Sequence, residues 1–164
     1  MSEETIVDFA VVAYREDDQW RVGPLPPRSA ETLDALVAAV RQQPSEGVAL
    51  GLCSYGDDFF LVVRPDGPDM RLLLSDASAS GDWAVAREAL EAAGSPSEPE
   101  PDEDDEQVRP AGDLGIFADL GVSPLILSAI CADLELYPDE MVAQIATHIG
   151  FGPQFVQAVD AELV

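Results

Sequence analysis

The spacing of apolar and polar positions changes period along the chain, and the change divides it. Ile6 to Arg15 is apolar and β-branched and Gln19 to Val22 is short, while Glu16, Asp17 and Asp18 between them suit a hairpin turn, so two strands are predicted. Pro24, Pro26 and Pro27 bar further regular pairing. Ser29 can then cap a helix in which Leu33, Leu36, Val37 and Val40 fall at i, i+3, i+4 and i+7, closed by Pro44 and Gly47. Val48 to Tyr55 and Asp58 to Arg64 read as strands around a Gly56-Asp57 turn, and Pro65-Asp66-Gly67 leads into a last strand, Met70 to Ser75. A second helix is predicted from Asp82, its cap, to Ala93, with Trp83, Ala86 and Leu90 inward and Gly94 as terminator. The order ββαβββα predicts an α+β domain over residues 1–93, an antiparallel five-stranded sheet with two helices packed against it. Longin-like and roadblock-like adaptor domains share that order of elements, an analogy of architecture that carries little functional weight.

Residues 94–111, GSPSEPEPDEDDEQVRPA, hold four prolines and seven acids and almost nothing apolar to bury, which marks a linker. Self-repulsion and proline should extend it beyond the about 25 Å expected of a flexible Gly-rich chain of that length. Residues 112–164 then turn helical and are expected to form a small C-terminal all-helical unit. Asp113 can cap a short helix ending at Gly121; Ser123 and Pro124 open a second, with Leu127, Ile130, Cys131 and Leu134 on one face. Pro138 starts a third, with Met141, Ile145 and His148 on one stripe, Val142 and Ile149 beside it and Gly150 placed to stop it, and Gly152-Pro153 opens a last helix carrying Phe155, Val156 and Val159.

Charge changes the picture more than overall composition does. Of 164 residues 47% are apolar, as in a folded protein with a core, yet the formal charge is -24. Residues 1–93 hold 17 acids and seven arginines, whereas residues 112–164 hold eight acids and neither Lys nor Arg. Such a surface repels phosphate backbones and anionic headgroups and attracts cations, which points to a basic protein partner and away from direct nucleic-acid or membrane binding. Lys and Asn are both absent from the chain, a codon bias of GC-rich genomes, so missing positive charge is better evidence than missing lysine. No cation compensates the C-terminal ends of the tail helices, which suggests that the anionic surface is itself selected. Cys53 and Cys131 sit in apolar runs and are expected as buried, reduced thiols, Cys53 on a half-buried strand. With acids at its start and no apolar run near 20 residues, the chain is expected in the cytoplasm.

Catalytic chemistry finds little support. His148, the single histidine, lies on or beside an apolar helical face and reads as structural. Pairs such as Asp57/Asp58 and Asp139/Glu140 are adjacent residues that face solvent, and phosphate-loop, dinucleotide and zinc motifs are missing, so no catalytic, cofactor-binding or metal residue is assigned. Arg15, Arg21, Arg64 and Arg71 could share one end of the sheet and read as solvated strand ends.

Four stretches together resemble one family. FAVVAYREDDQWRVGPLPP at residues 9–27, LLLSDASA at 72–79 with Asp82-Trp83, PAGDLGIFADLGV at 110–122 and DLELYPDEM at 133–141 are similar to the actinobacterial tRNA adenosine deaminase-associated protein family. The resemblance implies association with the enzyme that converts adenosine to inosine in the tRNA anticodon, and carries no catalytic residue with it. The residues agree, since zinc nucleobase deaminases use H-x-E and P-C-x-x-C. Here His148 precedes Ile149-Gly150, and Cys53 and Cys131 stand 78 positions apart with no proline before either. The expectation is a non-enzymatic accessory protein, without cofactor, that binds the basic face of a tRNA adenosine deaminase. Candidate contacts are Asp133, Glu135, Tyr137, Asp139, Glu140, Met141 and Phe151. The rivals are an enzyme or ligand-binding domain with a pocket between sheet and helices, and an acidic nucleic-acid mimic.

Overall fold

In a computed structural model of the chain, the described residues are 9–43, 48–56, 58–66, 68–77, 83–93, 110–133 and 135–162. Expectations placed on Ile6 to Asp8, Pro44, Gly47, Asp57, Gly67, Asp82, Leu134 and residues 94–109 lie outside them.

The strands are β1 (Phe9–Glu16), β2 (Gln19–Pro24), β3 (Ala49–Tyr55), β4 (Phe59–Asp66), β5 (Asp69–Leu74) and β6 (Ala111–Gly112). They form one antiparallel sheet in the order β2-β1-β3-β4-β5-β6, so the expected five strands become six. The sixth is too short to leave a periodic signal; it pairs Gly112 with Leu73 and Ala111 with Leu74. In the β1–β2 hairpin Glu16 faces Gln19 across Asp17 and Asp18, whose φ angles of 54° and 61° are those of a type I′ turn. Aspartate tolerates that left-handed backbone better than most residues.

Helix α1 (Leu33–Arg41) is capped by Thr32 rather than Ser29, the Thr32 hydroxyl accepting from the Ala35 amide at 3.1 Å. Residues 27–30, where Ser29 lies, form a separate 3-10 turn. Helix α2 (Ala84–Ala92) follows Trp83, which stacks edge-on to Tyr55 and Phe59. After β6 the predicted helix from Asp113 is replaced by turns and a three-residue 3-10 segment, Ala118–Leu120. Then come α3 (Pro124–Ala132), α4 (Pro138–Ile149) and α5 (Gly152–Glu162). Ser123 caps α3 through the Ile126 amide, and Gly150 ends α4 in the left-handed region at φ 116°, as the residue types anticipate.

Helices cover both faces of the sheet. On one face Val12, Cys53, Phe59, Leu61 and Leu74 pack with Leu36, Val40, Ala86 and Leu90 of α1 and α2. On the other, Val11, Leu50, Leu52, Phe60, Val62 and Leu73 pack with Leu127, Ile130, Val142, Ile145 and Phe155 of α3 to α5. Every residue of β3 is buried, so Cys53 lies on a fully buried strand rather than a half-buried one. Strands covered on both sides read as nearly unbroken apolar runs, because neither set of alternating side chains meets water. Each fully buried Val, Leu or Phe contributes about 1.5–3 kcal/mol relative to exposure.

The passage from β6 into the second layer is tight. Gly112 has φ 110°, and a Cβ there would lie 2.3 Å from the Leu72 carbonyl oxygen. Gly112→Ala is therefore expected to lower stability by at least about 2 kcal/mol in urea unfolding, through left-handed strain and the displaced β5–β6 pairing. Gly23→Ala, with nothing within 4 Å of the added Cβ, should stay within about 0.5 kcal/mol of wild type. Equal midpoints for the two variants would rule this constraint out.

Candidate docking surface

Five of the seven expected contact residues meet at the corner between α3 and α4. The Asp133 carboxylate accepts from the Glu135 amide at 2.9 Å and makes the turn that ends α3. Tyr137 precedes α4, and its amide donates to the Glu140 carboxylate at 3.1 Å, which fixes the first turn where Asp139 and Glu140 favour the helix dipole. Asp133, Glu135, Asp139 and Glu140 are all exposed, and Tyr137 is 58% exposed among them. Met141 and Phe151 lie elsewhere. Met141 is one turn along on the inward face with Ile145, and Phe151, fully buried at the α4–α5 elbow, has its ring 5.0 Å from that of Trp20. As core residues they cannot meet a partner without unfolding the corner. His148 also differs from expectation, since the buried stripe of α4 is Met141, Val142, Ile145 and Ala146 and His148 is exposed.

Of the four strand arginines, Arg15 and Arg21 are exposed as expected, whereas Arg64 and Arg71 are not solvated strand ends. Arg64 and Arg71 are direct cross-strand partners on β4 and β5, and both reach over the segment after β6. Arg64 donates two hydrogen bonds of 2.8 Å to the two oxygens of Asp119 and one of 2.7 Å to the Ile116 carbonyl. Arg71 donates to the Asp113 carboxylate and, at 2.8 Å, to the Gly115 carbonyl. The other Asp113 oxygen accepts the Gly115 amide. Hydrogen bonds from Arg71 hold the Asp113 carboxyl below its ordinary value, and those from Arg64 do the same for Asp119. Across the first hairpin Arg21 pairs with Glu16, and the Arg15 guanidinium sits 5.4 Å from the Trp20 ring centroid. Arg64 and Arg71 thus serve internal contacts, while Arg15, Arg21 and the corner acids are exposed.

Groups that could do chemistry are kept apart. Cys53 packs in the layer of α1 and α2 and Cys131 in that of α3 to α5, on opposite sides of the sheet. Burial pushes the Cys131 thiol up to about 12. No group of three His, Cys, Asp or Glu among the described residues is arranged to hold a metal ion. A shallow groove of about 390 Å³ runs between α4 and α5, bordered by Ala143, Thr147, Pro153 and Val156. A second, of about 420 Å³, lies where α5 meets β2, beside Tyr14, Trp20, Arg21, Gln154 and Gln157. The described lining of neither includes His, Cys or a carboxylate. No helix among the described residues is long and apolar enough to cross a membrane.

Residues 8–152 match the Rv3753c-like tRNA adenosine deaminase-associated protein family. The chain belongs to this family. It is 36% identical over 152 residues to Protein Rv3753c of Mycobacterium tuberculosis, an alignment covering 93% of this chain and 87% of that one. No solved structure matches it. The family is described as associated with the deaminase rather than as a deaminase.

One surface element escaped the pattern reading. Helix α3 is apolar outward as well as inward, and its Leu125 is 80% exposed. The signal was present as a run without charge from Leu120 to Ala132, but an inward stripe alone accounts for Leu127, Ile130 and Cys131.

The arginine clamp has a definite pH signature. A carboxyl with a depressed folded-state pKa stabilises the fold fully above the unfolded value, near 3.8, and the gain is lost as pH falls through the folded value. Asp119→Asn should cost about 1 kcal/mol at neutral pH, modest because the carboxylate is half exposed, and the deficit should shrink as pH drops below the ordinary carboxylate range. Urea unfolding of both proteins from pH 7 downward checks it; a gap that does not narrow would contradict the clamp.

Proposed function

We propose that this protein is a non-catalytic companion that binds a tRNA adenosine deaminase and acts with it in the cytoplasm on adenosine-to-inosine modification of the tRNA anticodon. The observation that carries the proposal is the exposed acidic corner of Asp133, Glu135, Asp139 and Glu140 around Tyr137, in a segment of 53 residues with no Lys or Arg. A protein that handles tRNA must present cations to phosphate, and an anionic surface is complementary to that face. Family membership supports the choice of deaminase. Separation of Cys53, Cys131 and His148 supports a companion without zinc chemistry of its own. In this reading the acidic, proline-rich stretch of residues 94–111 joins α2 to the second helical layer and adds seven acids to the negative charge of the chain.

The purified protein mixed with a tRNA adenosine deaminase from the same organism should form a complex at low ionic strength. Raising salt from about 50 to 500 mM should weaken it by about tenfold or more, because exposed ion pairs are screened. Glu135→Lys with Asp139→Lys should weaken the low-salt complex by a similar factor and, because Asp139 lies in the first turn of α4, lower unfolding stability by about 1 kcal/mol without unfolding the protein. Absence of a complex at low ionic strength would sink the proposal. Competition by tRNA for the complex would recast the protein as a nucleic-acid mimic.

A further inference from the structure

Helix α3 presents a face that its own fold does not use. Successive residues of an α-helix turn by about 100°, so Leu127, Ile130 and Cys131 fall together on the side that packs against the sheet. Leu125, Ala129 and Ala132 fall opposite, with Ile126 and Ser128 on the flanks. All three are exposed, and Ile126 is 37% exposed. A helix on the surface of a monomer ordinarily carries charged residues at such positions, and apolar residues all round are the pattern of a helix covered on every side. From Leu120 to Ala132 there is no charged residue, in a chain where 24% of residues are charged. The outward face is therefore built as an apolar surface, and its rim is anionic. Asp133 ends the helix, Glu135, Asp139 and Glu140 continue along the corner, and no Lys or Arg occurs anywhere between residues 112 and 164. From Leu125 to Asp133 the rise is about 12 Å, so face and acidic corner fit within one interface footprint.

We infer that the outward face of α3, centred on Leu125 with Ile126 and Ala129, is the apolar anchor of the docking surface. Its occupant is a protein surface with an apolar centre bordered by Lys or Arg. A second copy of this chain fits poorly, because a protein of charge -24 would bring an acidic rim against an acidic rim. The inference rests on the proposed association with a tRNA adenosine deaminase and names the side chains that hold it once charge has steered the two together. An anchor and a steering corner differ in salt dependence: loss of buried apolar contact is insensitive to ionic strength, while loss of exposed charge is not.

The test is titration of the full-length protein with the deaminase at low and high salt, using wild type, Leu125→Ser with Ile126→Ser, and Glu135→Lys with Asp139→Lys. The serine variant should weaken binding by about tenfold or more at both salt concentrations, because truncating a central apolar contact commonly has an effect of that size. The charge-reversal variant should weaken it chiefly at low salt. Val156→Ser, which removes a comparable exposed apolar side chain on α5, should bind within about twofold of wild type. Leu125 carries little of the fold, and equal unfolding midpoints confirm that the serine variant is intact. If wild type binds and the serine variant binds equally well, the anchor is wrong while the association stands. If wild type does not bind, the association fails and the anchor with it. A wild-type dimer in sedimentation that the serine variant dissolves would assign the face to a second copy and overturn the proposal.

Discussion

The structure depends on a sheet that must be covered twice. β3 and β4 place Leu50, Leu52, Phe60 and Val62 toward one side and Cys53, Phe59, Leu61 and Val63 toward the other, all fully buried. α1 and α2 can shield only one side. Leaving the other in water would forgo the stabilisation of seven large side chains, Phe9, Val11, Leu50, Leu52, Phe60, Val62 and Leu73, at about 1.5–3 kcal/mol each, comparable to the whole stability of a domain. The helices after residue 112 are thus part of the same hydrophobic solution as the strands before residue 75. Whatever α3 and α4 present outward is held against a rigid layer.

Charge is arranged to allow that second layer to sit close. Arg64 and Arg71, side by side on β4 and β5, could repel one another and stay hydrated. They instead share the segment of residues 113–119, satisfying two carbonyls and two carboxylates. An arginine can do this with one planar group because it carries five donors in a fixed fork. Positive charge is thereby consumed where the chain crosses to the second layer, and the acids of the α3–α4 corner keep no internal partner of opposite sign in their own segment.

Much of the fold was legible because it follows local rules. The five longer strands, α1, α2 and the three tail helices all announce themselves by period, cap or stop, as Ser123-Pro124 and Gly150 do. What stayed hidden was settled by tertiary contact. Two residues cannot show a period, so β6 was invisible, and the turns after it depend on arginines 42 to 55 residues earlier. The alternation in Val48-Ala49-Leu50-Gly51-Leu52-Cys53 suggests a half-buried strand, but its unbroken apolar character fits the two-sided burial of β3 better. Among the proposed contacts, the exposure of the corner acids was legible because carboxylates without a nearby cation rarely point inward. Met141 and Phe151 were not separable from surface apolar residues until the packing direction of α4 was known.

The two thiols acquire a use from where they lie. Cys53 is sealed beneath α1 and α2 and Cys131 between α3 and the opposite face, each by a different group of helices. Thiol-modifying reagents need a thiolate, and burial holds Cys131 far from forming one at neutral pH. Its rate of alkylation therefore clocks how often the second helical layer lifts from the sheet, while Cys53 times the first, so the molecule carries an independent gauge of opening in each of its two halves.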